Sequence, residues 1–195
     1  MSENRDNDNS PIFIPGTSRV DLARLFARMG YTRGIEIGTG GGVYSEVLCQ
    51  TIPGLRLVCV DLWRPYDGYL DFTSVEHLEQ DYAQAKARLA PYCVELWRKD
   101  SMDASTIFPN GGFDFIYIDA NHQHPWVDND IRWWERKVRP GGIVSGHDYA
   151  TNHRDVCEAV QEFTRAHGIR PYFAVGRPAE IDHADTIPSW FYFKP

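Results

Sequence analysis

Four side chains in the second half of the chain have the types and spacing to do chemistry. Asp119 and His122 lie three residues apart, and His147 and Asp148 are neighbours. Each pair follows an apolar run, Phe113 to Ile118 for the first and Ile143 to Ser145 for the second. Carboxylate oxygens with one imidazole would hold a divalent cation and leave positions open to water. Magnesium suits the oxygens, and manganese or iron accepts the nitrogen. On this reading Asp119, His147 and Asp148 are the metal ligands. His122, just beyond, has the ordinary pKa of a base that could take a proton from a hydroxyl. Each residue alone has a plainer explanation: Asp119 as a helix cap, His147 as a core histidine. Their shared position at strand ends favours a site.

A second constellation lies earlier, in Glu36-Ile37-Gly38-Thr39-Gly40-Gly41-Gly42. A glycine has no Cβ to hold a ligand away from the backbone. The helix pattern that follows offers free N–H groups and a partial positive charge at its start. Glu36, Gly38, Thr39, Gly40 and Gly42 are therefore expected to hold a polar ligand. Asp61, with Leu62 beside it, ends a second apolar run 23 residues after Gly38. One carboxylate there can accept from both vicinal hydroxyls of a ribose. Asp100 and Ser101 follow a third such run, and Asp100 could instead cap a short helix. The dinucleotide fingerprint would need glycine at position 43, which is Val43, and no Gly-Lys-Ser/Thr of a phosphate loop follows.

The elements that must position these residues can be read from periodicity. Leu22, Leu25, Phe26 and Met29 recur at helical spacing and are expected in the core, with Gly30 as the stop. Gly34 to Gly38 reads as a strand, Val43 to Thr51 as a helix with Val43, Val47 and Leu48 inward, and Leu55 to Asp61 as a second strand. Strand, glycine loop, helix and strand make a βαβ unit, hence a parallel sheet. Leu78 to Leu89 reads as a helix, Val94 to Trp97 as a strand and Phe113 to Ile118 as a central strand buried on both faces. Pro125 opens a helix carrying Val127, Ile131, Trp134 and Val138. Pro140-Gly141-Gly142 turns into the strand Ile143 to Ser145. Val156, Val160 and Phe163 mark a last helix, with Pro171 to Val175 and Ser189 to Phe193 as two more strands. The fold class expected is α/β, a single doubly wound Rossmann-like sheet, mostly parallel with a C-terminal antiparallel strand. Residues 1–10 are polar and are expected to form a disordered tail before one domain over 11–195. Trp63 to Tyr82 begins with alternating aromatics and acids and is expected to be a lid or substrate wall above the strand ends. Asp182, His183 and Asp185 read as a solvated loop rather than a metal site.

The chain has 195 residues and a net charge of −7, which argues against nucleic acid and anionic membranes as partners. Four scattered cysteines without a Cys-x-x-Cys, no apolar run long enough to span a membrane and no signal-peptide pattern point to the cytoplasm and to buried free thiols. A small-molecule substrate is expected, with a homodimer left open.

These stretches resemble those of the class I S-adenosylmethionine-dependent methyltransferases. Glu36 to Gly42 resembles their first motif, and Val60-Asp61-Leu62-Trp63 their ribose-binding strand end. Phe113 to His122 is similar to the Asp-x-x-His segment of small O-methyltransferases that act on antibiotic sugars, and Pro140-Gly141-Gly142 with its strand fits as well. The resemblance spans residues 33 to 165 and implies an O-methyltransferase acting on a hydroxyl. In that case Gly38 and Gly40 pass beneath the methionine moiety, Asp61 holds the ribose, and Asp100 and Ser101 lie by the adenine. Asp119, with positions 147 and 148, binds magnesium, and His122 is the base. Catechol O-methyltransferase has Asp-Asn, and the sugar enzymes an acidic pair, where this chain has His147-Asp148. The rival readings are an iron-dependent oxygenase-like enzyme using His122, His147 and an aspartate, a non-catalytic binding protein of this fold, and a nicotinamide enzyme.

Overall fold

The computed structural model describes residues 10–69, 74–176 and 187–195. The tail before Ser10, Leu70 to Phe72 of the aromatic stretch, and the Asp182, His183 and Asp185 cluster lie outside the described residues.

Runs of apolar residues form strands where both faces can be buried. β2 (Arg33–Ile37), β3 (Arg56–Asp61), β4 (Val94–Arg98), β5 (Phe113–Ile118) and β6 (Val138–Gly146) make the parallel heart of the sheet. β1 (Ile12–Ile14), β7 (Phe173–Val175) and β8 (Ser189–Phe193) extend it in the order β1-β7-β8-β6-β5-β2-β3-β4. β8 runs antiparallel to both β6 and β7, as the expected C-terminal antiparallel strand requires.

The register decides where the chemistry collects. Ile37 stands opposite both Val60 and Ile118, and Ile118 stands opposite Gly146. Four strands therefore reach the same level, and the next residues of β2, β5 and β6, namely Gly38, Asp119 and His147, leave the sheet along one edge beside Asp61 at the end of β3. This is the crevice where open α/β sheets bind ligands.

Alternate side chains of each strand feed two cores. Ile35, Ile37, Ile116 and Ile118 pack on one face against α5 (Trp126–Trp134) and α6 (Arg154–Ala166), through Val127, Ile131, Trp134, Val156, Val160 and Phe163. Cys59, Phe115 and Tyr117 pack on the other against α1 (Arg19–Arg28), α2 (Val43–Thr51) and α3 (Val75–Leu89). α1 starts with a capping box, in which Ser18 and Asp21 satisfy each other's backbone N–H groups. α4 (Ser101–Ser105) is a single turn after β4.

Some expectations are corrected. Met29 is the C-cap of α1, outside the helix proper, and is 45% exposed, and Val43, the first residue of α2, is 52% exposed. Val138 leaves the helical stripe through a 3₁₀ turn (Glu135–Lys137) and opens β6. The Pro140-Gly141-Gly142 turn is an irregularity inside β6: Val138 pairs with Phe113 and Ile143 with Phe115. All four cysteines are free, but of them only Cys59 is buried: Cys49 and Cys157 are half-buried and Cys93 is exposed.

Candidate active site

A cavity of about 280 Å³ opens over the ends of β2 to β5. Among the residues singled out in the sequence, Gly38, Gly40, Asp61, Leu62, Asp100, Ser101, Asp119 and His122 border it. Glu36, Thr39, Gly42, His147 and Asp148 do not.

The glycine loop owes its shape to two different constraints. Gly38 has φ +86°, and a Cβ on it would sit 2.0 Å from the Asp119 carbonyl oxygen, so β2 and β5 leave no room there for a side chain. Gly40 has φ +51° with nothing within 4 Å of where its Cβ would be, so it is the open part of the cradle. Asp61 ties this loop to β3: its carboxylate accepts the Gly40 N–H at 2.9 Å and the Trp63 N–H at 2.8 Å. Burial raises the Asp61 pKa despite those donors. Trp63 is fully buried with φ 43° and donates its indole N–H to the Gly40 carbonyl at 2.9 Å. The first residue of the expected lid is thus a clamp under the loop. Tyr66 and Tyr69 stack with centroids 5.0 Å apart and do form a cavity wall. Asn121 holds that wall through Nδ2, which donates to the Gly68 carbonyl at 3.0 Å.

Glu36 lies behind the loop, buried, where the Ser45 hydroxyl of α2 donates to it. Burial pushes it up to about 8, against the Ser45 hydrogen bond. Asp100 caps α4, accepting from the Met102 N–H at 2.9 Å and the Asp103 N–H at 3.2 Å, and it borders the cavity as well.

Beyond β5 and β6, Asp119, His122 and Asp148 each offer one ligand atom, all within 4.8 Å of one another. His122 Nε2 lies 2.7 Å from Asp148 Oδ2 and 3.9 Å from Asp119 Oδ1. His147 Nδ1 is 3.2 Å from Asp148 Oδ1 and 3.6 Å from Asp119 Oδ1, while its Nε2 is buried with no hydrogen-bond partner among the described residues. Burial alone would lower the His122 pKa, but hydrogen bonds and charge from Asp119 and Asp148 outweigh it and raise His122 to about 10. Burial would raise Asp148, yet His122 and His147 hold it well below the usual carboxylate range. The two carboxylates thus favour the protonated form of His122. Asp148 has φ 57°, so its backbone is strained in turning that carboxylate toward the histidines.

Several residues at the site were not read from the sequence. Arg19 of α1 stands 4.0 Å from Asp119. His153 Nε2 is 3.6 Å from Asp148, its ring meeting that of His122 edge to face. Asp130 borders the cavity from α5, buried, with the Ser101 hydroxyl donating to it. A signal for Asp130 existed: it shares the stripe of Val127, Ile131 and Trp134, and an acid on an apolar helix face needs a reason.

Known proteins share this architecture. Residues 35–149 match the profile of a family described as methyltransferase domain. No curated protein matches the chain in sequence. Among solved structures, the O-methyltransferase TomG from Streptomyces achromogenes, involved in tomaymycin synthesis and bound to S-adenosylmethionine, is 20% identical. It aligns over 91% of this chain and 80% of its own, with a TM-score of 0.65. An O-methyltransferase from Bacillus cereus in complex with S-adenosylhomocysteine is 17% identical over 90% of this chain and 80% of its own, with a TM-score of 0.65. A tRNA (m1A58) methyltransferase from Aquifex aeolicus, 17% identical over 94% and 72%, has a TM-score of 0.61, so the fold serves more than one kind of acceptor. With more than half of its length matched, from the glycine-loop strand through the turn after β6, the chain belongs to the methyltransferase-domain family.

Proposed function

We propose that the protein is an S-adenosylmethionine-dependent O-methyltransferase that methylates a small-molecule hydroxyl with the help of a divalent cation. The observation that carries this reading is the convergence of Asp119, His122 and Asp148 beside the cavity floored by the glycine loop. The residues fit both groups. Gly40 leaves open space above the loop, and the Asp61 carboxylate borders the cavity, where it can accept from a ribose hydroxyl. The carboxylates of Asp119 and Asp148, with His147 Nδ1 3.6 Å from the first and 3.2 Å from the second, are an oxygen-rich set that suits magnesium or manganese better than a two-histidine iron site.

Bound at these places, the cofactor supplies a sulfonium methyl and the cation supplies positive charge that lowers a hydroxyl's pKa. The chain's own part is to bind, orient and accept a proton. Gly40, Asp61, Asp100 and Ser101 would hold the cofactor, and Asp119 and Asp148 would hold the cation, with His147 beside both carboxylates. The His122 imidazole, placed by Asp148, takes the hydroxyl proton, which requires its neutral form. Something other than a proton must then balance the two carboxylates. Positioning alone can contribute on the order of 7–11 kcal/mol to such a transfer. Residues 11–195 act as one domain, in the cytoplasm, on a small molecule. The net charge of −7 supports an acceptor other than nucleic acid.

The test is calorimetric titration with S-adenosylmethionine in magnesium and again in EDTA, followed by methyl transfer to a panel of phenols and sugars. Binding is expected in both buffers, with transfer only in magnesium. No binding in either buffer overturns the cofactor assignment, and full transfer in EDTA overturns the cation's role.

A further inference from the structure

Asp130 is a buried carboxyl that the mechanism above does not use. It stands on α5, 4% exposed, at the wall of the cavity. Among the described residues no cation pairs with it, and its one hydrogen bond comes from the Ser101 hydroxyl. That donor's direction is settled, because Ser101 Oγ accepts the Trp134 indole N–H at 2.7 Å and so gives its own hydrogen to Asp130. The chain Trp134 to Ser101 to Asp130 fixes the carboxyl and leaves its second oxygen for what enters the cavity.

A carboxyl buried beside a cavity without a cation is costly unless a ligand donor completes it. Burial, with the Asp100 charge adding to it, pushes Asp130 up to about 7 against the Ser101 bond. Tyr66, Met102 and Trp126 border the same cavity. Aromatic and apolar lining beside a buried acceptor suits a planar ring bearing an amine. Asp100, which the resemblance places by the adenine, is exposed and caps α4 with one oxygen.

We propose that Asp130 is the specificity-determining residue that reads the 6-amino group of the cofactor's adenine, accepting its N–H and rejecting a ring with a carbonyl there. This rests on the cofactor reading given above. It predicts how an amide would behave in its place. In Asp130→Asn the Ser101 hydroxyl still donates to the side-chain oxygen, so the new NH₂ faces the cavity. The preference then reverses, toward an oxo group and away from an amine.

The experiment is calorimetry with S-adenosylhomocysteine and with S-inosylhomocysteine, whose 6-amino group is replaced by a carbonyl. Wild-type protein is expected to bind the amino compound about tenfold or more tightly over the oxo compound, the scale of one charged hydrogen bond lost and an acceptor left bare. Asp130→Asn is expected to erase or reverse that ratio, and Asp130→Ala to weaken the amino compound alone. A ratio near one in the wild type, which needs no variant to fold, overturns the proposal, as does an unchanged ratio in Asp130→Asn. Failure of the wild type to bind either compound removes the cofactor reading and this assignment with it, whereas tight binding without discrimination removes only the assignment.

Discussion

A methyl group on Gly38 would meet backbone, not a flexible side chain, so the strands would have to part to admit it. We therefore expect Gly38→Ala to cost about 3 kcal/mol or more in urea unfolding, the range of a strained and overpacked position. Gly40→Ala meets nothing. It should cost only about 1–2 kcal/mol for its left-handed backbone, yet weaken cofactor binding, because the methyl enters the open cradle. Equal stability losses in the two variants would contradict this division. At His122 the expected effect is on rate. His122→Ala should lower kcat by about 10²- to 10⁴-fold, the usual worth of a general base, and leave the dissociation constant of S-adenosylmethionine nearly unchanged. Undiminished turnover would remove His122 from the role of base.

At the scale of elements, the contact between β2 and α2 is a buried polar one: Glu36 receives the Ser45 hydroxyl, with Cys59 Sγ 3.9 Å away. Burial raises Glu36 from 4.5 to about 8. The folded chain thus holds this proton more tightly than the unfolded chain does. The stability it contributes is complete below about 4.5 and is lost as pH rises through about 8. Asp130 acts with the same sign. Urea midpoints should fall between pH of about 5 and about 9, and Glu36→Gln, which keeps a neutral acceptor, should flatten the fall. An identical slope in wild type and Glu36→Gln would mean that Glu36 is not the group responsible.

At the scale of the whole molecule, the candidate cation site joins the ends of two neighbouring strands, since Asp119 follows β5 and Asp148 follows β6. A cation bound there ties those ends in the folded state alone. At a hundred times its dissociation constant it adds about 2.7 kcal/mol, or a few degrees in melting temperature. Magnesium or manganese should raise the melting temperature of the wild type and leave Asp148→Asn unmoved. No shift in the wild type would count against a resident cation. The parallel register is what brings the site together: residues as distant in sequence as Gly38 and Asp119 meet because their strands end level.

Much of this was legible locally. An apolar run such as Phe113 to Ile118, a glycine cluster before a helix and an acid at a strand end depend on residues a few positions apart. Their physics, burial of alternate side chains and conformational freedom, acts over the same distance. So the sequence by itself determined the α/β class, the antiparallel last strand, and the strand ends at which Gly38, Asp61, Asp119 and His122 gather. It could not determine what those residues face. That Gly38 is glycine because of the Asp119 carbonyl, that Trp63 clamps the loop from below, and that Asp130 borders the cavity from a buried helix face are all contacts between distant segments. The meeting of His122 with Asp119 and Asp148 is of the same kind. It turns on the left-handed backbone of Asp148, which aims one carboxylate at three histidines. Only the tertiary structure settles such matters, because the direction of a side chain past the end of a strand is set by the packing around its turn and not by the residues on either side of it.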